Sequence, residues 1–247
     1  MSTVDETPPD SSVVAVVPAF DRADSVGATV EALQSIAAVA RVIVVDDGSG
    51  DDTAAVAAAA GAQVVTLRPN QGKAAAVLAG CQATDADVLL FVDADTGSTA
   101  VQAERLVGPV LSGELDMSIA VLPAAGARGG FGLVRDFAAA VLQIGTGTRF
   151  EAPLSGQRCV RRSVVDALGP VDRFGLEVAL TLDAAQAGLR AAEIEAEFDH
   201  RHTGRSLAGF RHRLRQGRDL YRAGASRLGH KVMVRALWSS VRGRFWA

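Results

Sequence analysis

Short β-branched runs recur along the first hundred residues: VVAVV (13–17), RVIVV (41–45), AQVVTL (62–67) and DVLLFV (87–92). Alanine-rich segments with helical apolar spacing separate them. Such alternation predicts an α/β fold with a mostly parallel central sheet flanked by helices on both faces. Sheets of this kind bind ligands beyond the carboxyl ends of their strands. Those ends read Pro18-Ala19-Phe20-Asp21, Asp46-Asp47-Gly48-Ser49-Gly50, Arg68-Pro69-Asn70-Gln71-Gly72-Lys73 and Asp93-Ala94-Asp95. All four are predicted along one edge.

After Asp95 the spacing predicts a helix over 99–111, a strand over 116–122, a glycine-rich passage at 126–132 and an apolar helix over 133–144. A strand over 154–162, a helix over 175–189 closed by Gly188, and an alternating strand over 190–198 follow. Two amphipathic helices end the chain. In the first, Leu207, Phe210, Leu214 and Tyr221 share one face, and Arg211, Arg215, Arg218 and Arg222 crowd the other. The second, over 230–242, is more apolar and carries Trp238. The expected organisation is a disordered polar leader over 1–12, an α/β domain over 13–206 and a basic helical tail over 207–247.

Composition changes this picture little. With 247 residues and 49% hydrophobic content the chain can bury a core of ordinary soluble type. No run approaches the roughly 20 apolar residues of a membrane-spanning helix. Cys81 and Cys159 lack metal-type spacing and the start is not signal-like, which predicts free buried thiols and a cytoplasmic location. Arginine in place of lysine and abundant alanine fit a GC-rich bacterial genome.

Charge changes it more. The net charge of −3 conceals twelve basic residues against Asp219 alone from Arg201 onward, a net of +11 on a body of −14. An arginine-rich amphipathic tail suits an anionic membrane surface, at the inner face of the cell membrane. Docking on the acidic body, or formation of a homodimer, explains the same pattern. Nucleic acid is not an expected partner, because no aromatic residues interleave with the arginines as a stacking platform.

Asp93 and Asp95 project to one side of an extended strand end, where like charges repel unless a cation lies between them. Two carboxylates there suit a hard divalent ion, magnesium or manganese, that keeps waters and bridges to a substrate's phosphates; a solvated polar turn is the plainer alternative. Lys73, one of only two lysines among 25 basic residues, opens a helix where a compact ammonium suits a phosphate oxygen. Asp46 and Asp47 can accept hydrogen bonds from a base or ribose, whereas turn and capping chemistry accounts for the residues after them.

In this order, VVPAFDR, VIVVDDGSGDDT, NQGKAAAV and FVDADTG resemble the motifs of the family 2 glycosyltransferases, which bind nucleotide sugars on the α/β fold called GT-A. The resemblance implies that Pro18, Phe20, Asp46 and Asp47 surround the nucleoside, that Lys73 approaches the phosphates, and that Asp93-Ala94-Asp95 is a metal-binding DxD motif. Two positions depart from it: Asp21-Arg22 stands where Asn-Glu is common, and Ala74 where glycine is usual. Further on, SGQRCVRR, the segment 175–201 and RHTGRS (201–206) look like polyprenyl-phosphate glycosyltransferases of the dolichol-phosphate mannose synthase type. That likeness implies roles for Gln157, Glu177, Gly204 and Ser206 and phosphate contacts for Arg158 and Arg201, although Leu207 replaces the lysine that follows the serine there. Related transferases acting on 3-phosphoglycerate use a histidine after the last strand as a metal ligand, which makes His200 and His202 candidates.

The expected activity is metal-dependent transfer of a sugar from a UDP- or GDP-sugar, with inversion at the anomeric carbon. Asp95 and Glu177 are the expected catalytic residues, with Glu177 as a base or as the group that orients the acceptor. Polyprenyl phosphate is the preferred acceptor, with a small soluble acceptor such as 3-phosphoglycerate as the alternative within enzymes. A non-catalytic nucleotide-binding module is the alternative from another class.

Overall fold

A computed structural model describes residues 13–121, 132–171, 175–198 and 207–245, with backbone alone at 207–216 and 241–245. Strand β1 (Val13–Ala19) leads to helix α1 (Val26–Gln34), followed by β2 (Val39–Asp46), α2 (Thr53–Ala59), β3 (Gln63–Thr66), α3 (Lys73–Gln82) and β4 (Val88–Phe91). These four strands are mutually parallel where they pair. The repeating strand and helix pattern of the sequence is therefore one βαβ unit after another.

Beyond β4 a 3-10 segment (Gly97–Ala103) runs into α4 (Glu104–Leu111) and β5 (Met117–Val121). Then come α5 (Gly132–Thr146), β6 (Arg158–Arg161), the short α6 (Arg162–Asp166), α7 (Leu176–Gln186), β7 (Ala191–Glu195), α8 (Leu207–Leu228) and α9 (His230–Phe245). The sheet order is β3-β2-β1-β4-β6-β5-β7. Only β6 runs against its neighbours. It is shorter than the strand expected over 154–162, because 154–157 is loop and Arg162 already begins α6. The glycine-rich passage falls almost wholly outside the described residues.

Both faces of the sheet are buried, which is why its strands read as continuous apolar runs. The strand period of two sends alternate residues to opposite cores. Val13, Ala15 and Val17 meet Val42, Val44 and Leu90 on the side of α1 and α4. Val14 and Val16 meet Ile43, Val45, Leu89 and Phe91 on the other side, with α3, α5 and α7. Gly80 lets α3 settle on the sheet, since a Cβ there would overlap Val16 Cγ1.

The tail helices pack against the body. Leu220 and Ala223 of α8 and Met233 and Ala236 of α9 are buried, and α9 lies along α5 while α8 lies on α7. Arg227 forms a bidentate pair with Asp183 of α7, both N···O distances being 2.6 Å, and the two side chains are 6% and 8% exposed. Pairing and burial at these positions realise the docked arrangement that the sequence left open, while Arg218 and Arg222 face solvent.

Candidate active site

The carboxyl edge of the parallel strands gathers the predicted residues. At the end of β2, Asp46 and Asp47 are both buried, and their oxygens organise neighbouring loops. Asp46 Oδ1 accepts from the Ser49 amide at 3.0 Å. Asp47 accepts from the Gln71 amide at 2.7 Å and the Gly72 amide at 2.6 Å, while Asn70 Nδ2 donates to the Asp47 carbonyl at 2.9 Å. Gly72, at φ 94°, adopts a conformation open to glycine and hands the chain to Lys73 at the first position of α3. Asp47 thus fixes the loop that aims Lys73. Pro18 is half-buried at the end of β1, and Phe20 beyond it presents 46% of its surface to solvent at the same edge.

Between β4 and β6 lies an ion cluster. Lys73 Nζ is 2.7 Å from Asp93 Oδ1 and 3.0 Å from Glu177 Oε1. Burial alone would lower the Lys73 pKa, but Asp93 and Glu177 outweigh it and hold the ammonium above its ordinary value of 10.5. Glu177 occupies the first turn of α7, where a negative charge suits the helix N-terminus. Residues 176–184 of α7 are all buried, so Glu177 faces the site instead of solvent.

The antiparallel pairing of β6 explains the rest of the cluster. Phe91 pairs with Arg158, so the residue before β6 falls beside the residues after β4. Gln157 Nε2 accordingly donates to Asp93 Oδ2 at 3.3 Å. A Cβ on Gly156 would overlap Lys73 Nζ and lie 2.9 Å from Asp93 Oδ2, so a side chain here would push on the tips of the paired ammonium and carboxylate. Glu193 of β7 grips the loop's start by accepting from the amides of Ala152 at 2.7 Å and Glu151 at 2.9 Å.

Arg158 differs from the sequence expectation of a phosphate contact. It is 1% exposed and lies beneath the site, donating to the Ser155 carbonyl at 2.8 Å and to Thr181 Oγ1 at 2.9 Å. Burial lowers its pKa to about 10, opposed by Glu177 and Glu193. The reason is tertiary: β6 is an interior strand, and its first side chain points under α7 into the core, where the guanidinium meets carbonyls and a hydroxyl. Cys81 and Cys159 are buried, and burial pushes both thiols up to about 12, which leaves them protonated and unreactive.

Asp95 sits on a turn held from two sides. Thr96 Oγ1 donates to the Asp93 carbonyl at 2.9 Å, and the buried Thr29 of α1 donates to the Ala94 carbonyl at 3.0 Å while accepting from the Gly97 amide at 2.9 Å. Thr29 was not among the residues the sequence pointed to; a threonine inside a helix carries no signal of a contact 65 residues away. Arg22 Nε lies 3.7 Å from Asp95 Oδ2. Both motif aspartates therefore face a resident cation, Lys73 or Arg22. Among the described residues, no group of three or more His, Cys, Asp or Glu side chains is placed to hold a metal ion. His200, Arg201, His202, Gly204 and Ser206 lie outside the described residues.

The edge can do two things chemically. Its oxygen-only pair, Asp93 and Asp95, suits a hard divalent cation that completes its shell with water and phosphate oxygens. The Lys73 ammonium beside it suits an anionic leaving group.

Comparison with known proteins agrees with this chemistry. The family model described as glycosyl transferase family 2 matches residues 14–152. An uncharacterized glycosyltransferase of Mycobacterium tuberculosis is 33% identical over 199 residues, covering 79% of this chain and 88% of its own. The glucosyl-3-phosphoglycerate synthase of Mycolicibacterium smegmatis is 28% identical over 193 residues, 70% of this chain and 63% of that relative, so the chain spans under two thirds of its length. Among solved structures, the glucosyl-3-phosphoglycerate synthase of M. tuberculosis in complex with Mg2+ and UDP superposes with a TM-score of 0.75 at 25% identity, covering 88% of this chain and 79% of that one. The same enzyme with Mn2+, UDP and glucosyl-3-phosphoglycerate gives a TM-score of 0.74 at 26% identity, with 88% and 80% covered.

Proposed function

The chain belongs to glycosyl transferase family 2 and has its GT-A fold, and from that premise we propose that it transfers a sugar from a UDP-sugar to a small phosphorylated acceptor with the help of Mg2+ or Mn2+. One observation carries the reading. Asp93 from the loop after β4 and Glu177 from α7 both lie within 3.0 Å of Lys73 Nζ from α3, at the edge where Asp46, Asp47 and Asp95 also stand. The likeness to glucosyl-3-phosphoglycerate synthases, whose complexes contain UDP, these cations and phosphoglyceric acid, supports the donor and the acceptor class.

In this reading Phe20 and Pro18 lie against the base and Asp46 faces the nucleoside. Asp93 and Asp95 would hold the cation, which when bound would neutralise charge developing on the leaving diphosphate. Lys73 adds a fixed positive charge to the same oxygens. The acceptor's hydroxyl oxygen bonds to the anomeric carbon as the bond from that carbon to the β-phosphate oxygen breaks, with the electron pair leaving on the diphosphate and the hydroxyl proton passing to solvent water. Glu177, already paired with Lys73, acts here as a positioning residue that holds the ammonium in line. Gln157 steadies Asp93 from the opposite side.

Polyprenyl phosphate, preferred on the sequence, is the second reading, together with peripheral attachment to a membrane. The observation in its favour is the exposed face of α9, where Val234, Leu237 and Trp238 stand open beside Lys231 and Arg235. None of the helices in the described residues is long and apolar enough to cross a membrane. The two acceptors separate in one assay, in which the protein, UDP-glucose and Mn2+ are given 3-phosphoglycerate in buffer or polyprenyl phosphate in detergent. A hexose mass added to 3-phosphoglycerate without detergent is the expected result. Hexose added only to the lipid phosphate would instead establish the second reading.

A further inference from the structure

Arg22 is fixed by its surroundings more firmly than a surface arginine requires. Its amide donates to Thr53 Oγ1 at 2.7 Å, and its carbonyl accepts from the Ser25 and Val26 amides at 3.1 Å and 2.9 Å at the start of α1. On one side of it, Asp21 adopts φ 51°, donates its amide to Ser49 Oγ at 3.0 Å and accepts from the Gly50 amide at 2.8 Å. On the other, the Ala23 amide donates to Asp51 Oδ2 at 3.1 Å. A left-handed aspartate is tolerated more readily than most residues, and here it turns the chain so that the next side chain points along the sheet edge. The guanidinium then folds back, with Nη1 donating to the carbonyl of Asp21 at 2.8 Å and of Phe20 at 3.4 Å. Its Nε edge is left toward Asp95, 3.7 Å away.

We infer that Arg22 is the resident counter-cation of Asp95 in the nucleotide-free protein and becomes a ligand of the donor's diphosphate once a divalent cation occupies Asp95. The inference rests on the proposed metal-dependent binding of a nucleoside-diphosphate sugar. A guanidinium cannot share a carboxylate oxygen with a divalent cation without like-charge repulsion, so cation binding displaces it. Its backbone is locked, and the side chain is 40% exposed and free to rotate only locally. The nearest anion introduced with the donor is the diphosphate, for which a planar fork of donors is well shaped. Arg22 thus competes weakly with the metal alone and cooperates with the metal and diphosphate together.

Two variants and three probes test this in the full-length protein. Manganese alone is titrated by the loss of its free-ion spin-resonance signal, and UDP and uridine are titrated calorimetrically in saturating manganese. Arg22→Gln is expected to bind manganese alone roughly two- to fivefold more tightly, the scale of one exposed ion pair. It is expected to bind UDP about tenfold more weakly, as befits one lost charge-assisted contact. Uridine affinity stays unchanged, and Arg22→Lys recovers part of the UDP loss. Equal UDP affinity in Arg22→Gln and the wild type overturns the diphosphate role, as does a matching loss for uridine, which would mark a damaged nucleoside pocket. Manganese affinity that is no tighter in Arg22→Gln overturns the counter-cation role. Absence of manganese-dependent UDP binding in the wild type is a different failure, which removes the proposed function and this inference with it.

Discussion

Lys73→Met is expected to lower kcat/KM for the UDP-sugar by about 10²–10³, the usual loss when one fixed electrostatic group is removed from the site of developing charge. The side chain keeps its length and loses its charge. Asp93 and Glu177, which the ammonium bridges at 2.7 Å and 3.0 Å, then face each other without a cation between them. Lys73→Arg is expected to rescue little, because a planar fork does not reproduce the compact ammonium that meets Asp93 at 2.7 Å and Glu177 at 3.0 Å. Steady-state kinetics on the three proteins checks both statements.

The same lysine sets a pH dependence of stability. Its folded pKa lies above the ordinary value of 10.5, so its contribution is present in full below that value and is lost as pH rises through the higher folded value. The gap in melting temperature between wild type and Lys73→Met should therefore be flat across neutral pH and close only in strong alkali.

Arg227→Ala carries the largest expected stability loss. Asp183 and Arg227 are both nearly buried, and removing one partner strands a carboxylate on α7 whose remaining hydrogen bond among the described residues is from the Gly169 amide at 2.8 Å. Such a break costs about 3–5 kcal/mol, out of a total folding stability that is typically only about 5–15 kcal/mol. For a chain of this size that is a fall in melting temperature of roughly 10 °C. Replacing both partners together, as Asp183→Asn with Arg227→Met, should recover most of the loss, because removing a buried pair outright is often near neutral. The effect also reaches the site. At Gly175, two residues before Glu177, α8 packs so closely on α7 that a Cβ would overlap Ala223 Cβ and stand 3.1 Å from the Asp219 carbonyl. Loosening α8 therefore loosens the residue that holds Lys73.

How far the sequence could reach depended on the range of the interactions. β1, β2 and β4 were legible because strands buried on both faces need unbroken apolar residues, and no other element uses VVAVV or VLLF so economically. The order of acids and Lys73 along one edge followed from the parallel sheet. The short β6 was not legible in its extent, since its ends are set by pairing with β4 and β5, far away in sequence. Glu177 was legible as a candidate only through the family likeness, because α7 is buried from 176 through 184 and leaves no polar face to read. Arg158 looked like a phosphate ligand because arginine is rarely found at 1% exposure; its carbonyl and hydroxyl partners come from other elements. The tail's charge was plain, but the buried Asp183–Arg227 pair joins residues 44 apart, and charge counting could not separate that from a membrane face.

The central claim is that Asp93 and Asp95 make this edge a metal-dependent site for a nucleoside diphosphate. Calorimetric titration of UDP into the wild type and Asp95→Asn, each with and without manganese, tests it most directly. The account predicts binding by the wild type that requires manganese and its loss in Asp95→Asn, whose fold is unchanged by circular dichroism. UDP affinity that is the same in both proteins and indifferent to manganese would contradict it.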